Sequence, residues 1–249
     1  MYVSKWERNY AEHMKPHKTI LLKLTGSLIK QTANGLDASP LLSIARQIKQ
    51  LQDSVTFGVV IGGSNFFNGT IQSPQVNIAT QTGHTVGMIA TLMNGLIAQD
   101  IFEQEGINTV LFSAFECSLV GIPVSPQAIR EAQKNNICMI FAGGTGNPYF
   151  STDTTAIVRA LQINAQHVWK GTKVEGIYSD DPHKNPAARL LSRVSFKEAL
   201  ENNLGIMDSA AFSLAANNNL TIRIVNIFAE NALIRTNDDP NFGSTLSVS

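Results

Sequence analysis

Phe141–Ala160 reads FAGGTGNPYFSTDTTAIVRA. The apolar run Ile137–Ala142 ends in Gly143-Gly144-Thr145-Gly146-Asn147, and Ser151-Thr152-Asp153 follows. A short apolar run closed by glycines is a buried strand. Hydroxyl and carboxylate groups ahead of an apolar-periodic stretch supply oxygens for the free N–H groups of a helix start. The unit is therefore strand, glycine loop, helix. The chain repeats its opening twice upstream. Thr19–Leu24 (TILLKL) runs into Thr25-Gly26-Ser27, and Phe57–Ile61 (FGVVI) runs into Gly62-Gly63-Ser64-Asn65. Further strands are predicted over Asn108–Ser113, Val168–Lys170 and Thr221–Asn226. Helices are predicted over Asp37–Leu51, His84–Glu105, Pro126–Lys134, Asp153–Asn164, Phe196–Asn202 and Ser209–Asn217. Strands alternating with helices imply an α/β fold whose mainly parallel sheet is covered on both faces. No linker or repeat divides the chain, so residues 18–249 are read as one domain after an N-terminal extension, 1–17.

Composition narrows the function. The 249 residues carry 19 Lys+Arg against 19 Asp+Glu, and 43% are hydrophobic. A balanced charge gives no footprint for nucleic acid, and the apolar content is that of a globular chain. Cys117 and Cys138 form neither a metal spacing nor a disulfide framework, so a cytoplasmic setting is expected. No uninterrupted apolar run approaches the roughly 18–20 residues that span a bilayer, and no membrane partner is expected. The start of the chain, charged throughout, reads as a frayed extension ending at Pro16 and not as a secretory signal.

In an open α/β sheet, ligands sit beyond the carboxyl ends of the strands. Three of the loops there are glycine-rich, which lets backbone N–H groups approach an anion closely. Lys23 lies inside an apolar strand immediately before Thr25-Gly26. That placement is costly unless its ammonium emerges near an anion. Neither a Walker A pattern nor Gly-x-Gly-x-x-Gly after the first strand is present. His13, His17, His167 and His183 are read as ordinary structural histidines, and no protein metal site is expected. Tyr149-Phe150 reads equally as core or as a base-stacking surface.

The loops and the stretches Gly83–Asp100, Phe141–Ala160, Lys170–Pro182 (KGTKVEGIYSDDP) and Ile206–Ala215 (IMDSAAFSLA) resemble those of bacterial-type UMP kinases of the amino-acid kinase family. The resemblance runs from Lys18 to the C-terminus. It implies a three-layer α/β/α sandwich with the acceptor nucleotide in the N-terminal part and ATP in the C-terminal part. It implies ATP-dependent conversion of UMP to UDP in pyrimidine synthesis. Mg²⁺ would arrive with ATP. A homohexamer, with GTP or UTP as effectors, is also implied. By resemblance Lys23 and Asp153 are catalytic, Asp153 organising lysines at the reaction centre. Lys23, Leu24, Thr25, Gly26, Ser64, Asn68, Thr172, Tyr178 and Asp181 face ATP. Gly62, Gly63, His84 and the run Thr145, Gly146, Asn147, Pro148, Tyr149, Phe150, Ser151 and Thr152 face UMP.

Four positions depart from that pattern. The family motif Gly-Gly-Gly-Asn-x-Phe-Arg-Gly reads here as Gly62 to Gly69, with Ser64 for its third glycine and Asn68 for its arginine. His84 replaces an aspartate and Ser27 a glutamate. Between Lys49 and Arg130 there is no Lys or Arg, which leaves His84 as the segment's candidate cation. These departures carry a competing expectation, a catalytically weak or inactive nucleotide-binding relative, and a third reading is a kinase of the same fold with another acceptor.

Overall fold

The computed structural model describes residues 17–182 and 184–248. The expectations for His13, His183 and the extension up to Pro16 fall outside those residues. In chain order the first elements are β1 (Lys18–Leu24), β2 (Lys30–Thr32), β3 (Gly35–Asp37), α1 (Ser39–Leu51), β4 (Val55–Ile61), α2 (Gly69–Gln75) and α3 (Thr80–Gln104). Next come β5 (Thr109–Ser113), β6 (Ile122–Pro123), α4 (Pro126–Lys134), β7 (Cys138–Ala142), α5 (Thr152–Gln162) and β8 (His167–Thr172). The last are β9 (Ile177–Tyr178), β10 (Leu190–Leu191), β11 (Arg193–Ser195), α6 (Phe196–Glu201), α7 (Ser209–Asn217), β12 (Thr221–Asn226), α8 (Ala232–Asp238) and β13 (Ser244–Ser247).

Nine strands form one sheet in the order β11-β13-β12-β8-β1-β4-β7-β5-β6. Its pairings are parallel except β12 with β13, which is antiparallel. Alternate residues of each strand face opposite layers. Ile20, Leu22 and Leu24 enter one core with Leu41 and Ile44 of α1 and Leu92 and Phe102 of α3. Leu21 enters the other with Ile129 of α4, Ile157 of α5 and Phe212 of α7. The result is a three-layer α/β/α sandwich.

Two expectations are corrected. Asp37 belongs to the β2–β3 hairpin instead of the following helix, and its Oδ1 accepts the Ser39 N–H at 2.9 Å. The long helix begins at Thr80, one turn before His84. By length and composition alone α3 is long and apolar enough to cross a membrane, although His84, Asn94 and Asp100 interrupt it. It serves here as a layer of the sandwich, with Asn94 buried and its amide donating to Gly62 O at 2.6 Å.

Candidate active site

The chain passes from β1 to β4, β5 and β7 on one side of β1, and then crosses to β8 on the other. The carboxyl end of β1 is thus a switch point, where a crevice must open. Period-two alternation decides which side chains reach it. Lys23 follows Leu21 onto the α5 face of the sheet, and Lys170 follows Val168 there. The β1–β8 register sets Lys23 opposite Lys170. Both ammonium groups therefore meet the N-terminus of α5.

Two cations at the positive end of a helix repel it and each other. Asp153, in the first turn of α5, resolves that conflict. Its Oδ1 lies 3.0 Å from Lys23 Nζ and its Oδ2 2.5 Å from Lys170 Nζ. Lys170 also donates to Ile206 O at 2.5 Å. Burial works against the Asp153 carboxylate, and the charges of Lys23 and Lys170 outweigh it, holding its pKa below the ordinary value. Burial pulls the Lys170 pKa down, with Asp153 opposing and Lys23 reinforcing the fall.

Asp153 does not cap its own helix. Ser151 does, its Oγ accepting the N–H groups of Asp153 and Thr154 at 2.9 and 3.1 Å. The Ser151 hydroxyl donates in turn to Asp208, which accepts from Thr154 Oγ1 at 2.9 Å and caps α7 through the N–H groups of Ala210 and Ala211. Burial opposes ionisation of Asp208, and these hydrogen bonds overcome it, so its pKa is lowered. One carboxylate thus ties two helix starts behind the lysine pair.

A cavity opens on each side of this cluster. One, of about 520 Å³, is lined by Lys170, Thr172, Tyr178, Asp181 and the Asn202–Ile206 turn, among others. The other, of about 370 Å³, lies between the loops after β4 and β7 and the N-terminal turns of α2 and α3. Gly62, Gly63, His84, Asn147, Tyr149, Phe150, Ser151 and Thr152 line it, as expected of acceptor-side residues. Ser64 and Asn68, expected beside ATP, line this cavity also. Asn68 is the N-cap of α2, its Oδ1 accepting the Ile71 N–H at 3.3 Å.

Several expected residues stand back from both cavities. The Leu24 side chain is fully buried. Thr25 Oγ1 turns onto Ser27, 3.0 Å from its hydroxyl. Thr145 Oγ1 closes its own loop on Asn147 O at 3.2 Å, while Gly146 backs onto Ala114. Thr145, Gly146 and Pro148 are absent from the lining. The glycines also divide by purpose. Gly143, Gly144 and Gly146 take positive φ, whereas Gly26, Gly62 and Gly63 do not. A Cβ on Gly26 would meet Gly62 O at 2.5 Å, and one on Gly63 would meet Gly87 O at 2.8 Å. These two are small so that the loops pack on each other and on α3.

His84 Nδ1 accepts the Tyr149 N–H at 2.9 Å, and the two rings meet edge to face at 4.9 Å. His84, the segment's candidate cation, thus turns Nδ1 to the backbone of the 143–151 loop. The cavity lining holds no Lys or Arg. Tyr149 and Phe150 are 67% and 52% exposed, which places them on the cavity wall and not in the core.

Lys170 and Asp208 were not singled out from the sequence. The signal for Lys170 was the one that revealed Lys23, a lysine in an apolar strand ahead of a glycine. Asp208 precedes Ser209-Ala210-Ala211, a helix-cap pattern. Chemically, paired lysines anchored on a carboxylate between two cavities stabilise negative charge on a group passing from one cavity to the other.

Comparison with known proteins agrees with this geometry. The profile of the amino acid kinase family matches residues 18–226. A uridylate kinase of Sodalis glossinidius (strain morsitans) is 41% identical over 228 residues, 90% of this chain and 94% of that protein. One from Yersinia pestis (strain Pestoides F) is 39% identical over 240 residues, 95% and 99%. The UMP kinase from Ureaplasma parvum superposes with a TM-score of 0.89 at 30% identity, covering 94% of this chain and all of that one.

Proposed function

The chain belongs to the amino acid kinase family, and from that premise we propose that it transfers the terminal phosphoryl group of ATP to UMP, yielding ADP and UDP. The carrying observation is the Lys23–Asp153–Lys170 cluster between two cavities. Phosphoryl transfer asks the protein for alignment and for positive charge on the transferred group, and little covalent work. ATP occupies the larger cavity, its base and ribose against Thr172, Tyr178 and Asp181, its phosphates reaching Lys170. UMP occupies the smaller, its phosphate over Gly62, Gly63, Ser64 and Asn68, its nucleoside along Asn147 to Thr152. Lys23 and Lys170 face the phosphoryl group in flight, and Asp153 keeps both ammonium groups aimed there.

Mg²⁺ is assigned to the ATP phosphates. Asp153 directs its two carboxylate oxygens at Lys23 and Lys170. The product would feed pyrimidine nucleotide synthesis in the cytoplasm. A homo-oligomer, a hexamer by family resemblance, is supported by α3. Its Ile89, Met93 and Leu96 form an exposed apolar stripe, each 46% accessible. GTP and UTP remain the candidate effectors. Incubating the protein with ATP, Mg²⁺ and UMP and separating the nucleotides tests the reading: UDP and ADP should appear in equal amounts.

A further inference from the structure

Tyr149 has a φ of +71°, a left-handed conformation that costs a non-glycine residue of order 1 kcal/mol or more unless its surroundings hold it. Four contacts at this point converge on one side chain. His84 Nδ1 takes the Tyr149 N–H at 2.9 Å, and its ring packs edge-on against the Tyr149 ring. The opposite flank of the imidazole is wedged against α2, where a Cβ on Gly69 would come within 2.8 Å of His84 Cδ2. Thr70 Oγ1 lies 3.5 Å from Nε2. These contacts fix where the ring sits and turn Nδ1 to the Tyr149 N–H.

We propose that His84 is a positioning residue, a latch whose unprotonated Nδ1 holds the Tyr149–Phe150 strip against the smaller cavity. The proposal rests on that cavity being the acceptor site. Tyr149 and Phe150, more than half exposed, have little other packing to fix them there. The latch is sensitive to protonation, because a proton on Nδ1 sets a donor against the Tyr149 N–H. Neither α2, nor the first three turns of α3, nor the loop from Gly143 to Ser151 carries an Asp, Glu, Lys or Arg, and Tyr149 is the other titratable group of the cavity lining. Lys23, Lys170 and Asp153 stand at the neighbouring reaction centre, beyond the lining. The strip touches the acceptor and not the transferred group, so the latch governs KM for the acceptor and leaves kcat alone.

Asn and Ala at position 84 separate the latch from mere bulk, since the Asn amide oxygen can accept the same N–H and does not titrate. Two readouts are taken on the full chain: hydrogen exchange at the Tyr149 amide, and the pH profiles of KM for UMP and of kcat. The wild type and His84→Asn should protect the Tyr149 amide, and His84→Ala should not. KM should be raised by about three- to tenfold in His84→Ala, the worth of one hydrogen bond. It should climb on acidification in the wild type and stay level in His84→Asn, with kcat within about twofold throughout. Equal exchange in all three proteins overturns the latch, as does an acid-side rise of KM that persists in His84→Asn. Because exchange is read without turnover, a protein that protects Tyr149 as described yet forms no UDP would refute the assigned reaction and leave the latch standing.

Discussion

Replacing Asp153 by Asn removes the negative charge facing Lys23 and Lys170 while keeping one acceptor oxygen. Ser151 still caps α5, so the lost stability is that of the ion pairs and not of the helix start. Stripping the partner from buried charge costs about 3–5 kcal/mol. The three side chains here keep 11–17% exposure, and about 2 kcal/mol is expected by denaturant unfolding. The difference should depend on pH. The folded-state pKa of Asp153 is depressed, so its contribution is present above the ordinary aspartate value, about 3.9, and lost as pH falls through the folded value. The gap between wild type and Asp153→Asn should therefore close in acid. Asn68→Arg carries opposed effects. The cation should raise kcat/KM for UMP by about tenfold, the worth of one charge-assisted contact, while loss of the α2 cap lowers stability by about 1 kcal/mol. Lys23 and Asp153 were legible as residues, because charge in an apolar strand and acid at a helix start are local signals. The lowered pKa of Asp153 was not, since Lys23 and Lys170 are brought together on it only through the β1–β8 register. The second duty of Asn68, capping α2, went unseen because α2 itself did.

Among the elements, those with a compact apolar pattern between clear end signals were legible. Pro126–Lys134, Ser209–Asn217 and Thr221–Asn226 have the bounds the pattern predicts. The missed elements lack a period to read. Helix α2 is seven residues long and contains Pro74, and the β2–β3 hairpin is largely exposed. Strand β13 alternates buried and half-buried residues over only four positions and pairs antiparallel to β12. Helix α3 carries the prediction at this scale. Its inner face packs on the sheet and its outer stripe of Ile89, Met93 and Leu96 remains uncovered within one chain. Met93→Lys should leave the fold intact, since the side chain is half exposed, and should shift the protein to smaller species in light scattering. An unchanged mass would show that the subunits associate elsewhere.

For the whole molecule, alternation of strands and helices was enough to predict a parallel sheet clothed on both sides. It could not give the strand order, because the crossover from β7 to β8 depends on how the layers pack and not on any segment's own pattern. That order is what separates the two cavities and brings Lys23, Asp153 and Lys170 between them. The three glycine loops were read together as an anion cradle, and the structure divides them. The first two pack against protein, and the third uses the left-handed backbone that glycine permits. The central claim is that this cluster moves a phosphoryl group from ATP to UMP. Its most direct test is the initial rate of ADP formation with UMP, CMP and dUMP as acceptors, in the wild type and in Lys23→Ala. The account predicts UMP-dependent turnover that exceeds the rate with CMP or dUMP. It predicts a fall in kcat of at least about a hundredfold in Lys23→Ala, far more than the loss of its ion pair with Asp153 takes from stability. ATP binding without UMP-dependent ADP release, or turnover in Lys23→Ala like that of the wild type, would contradict it.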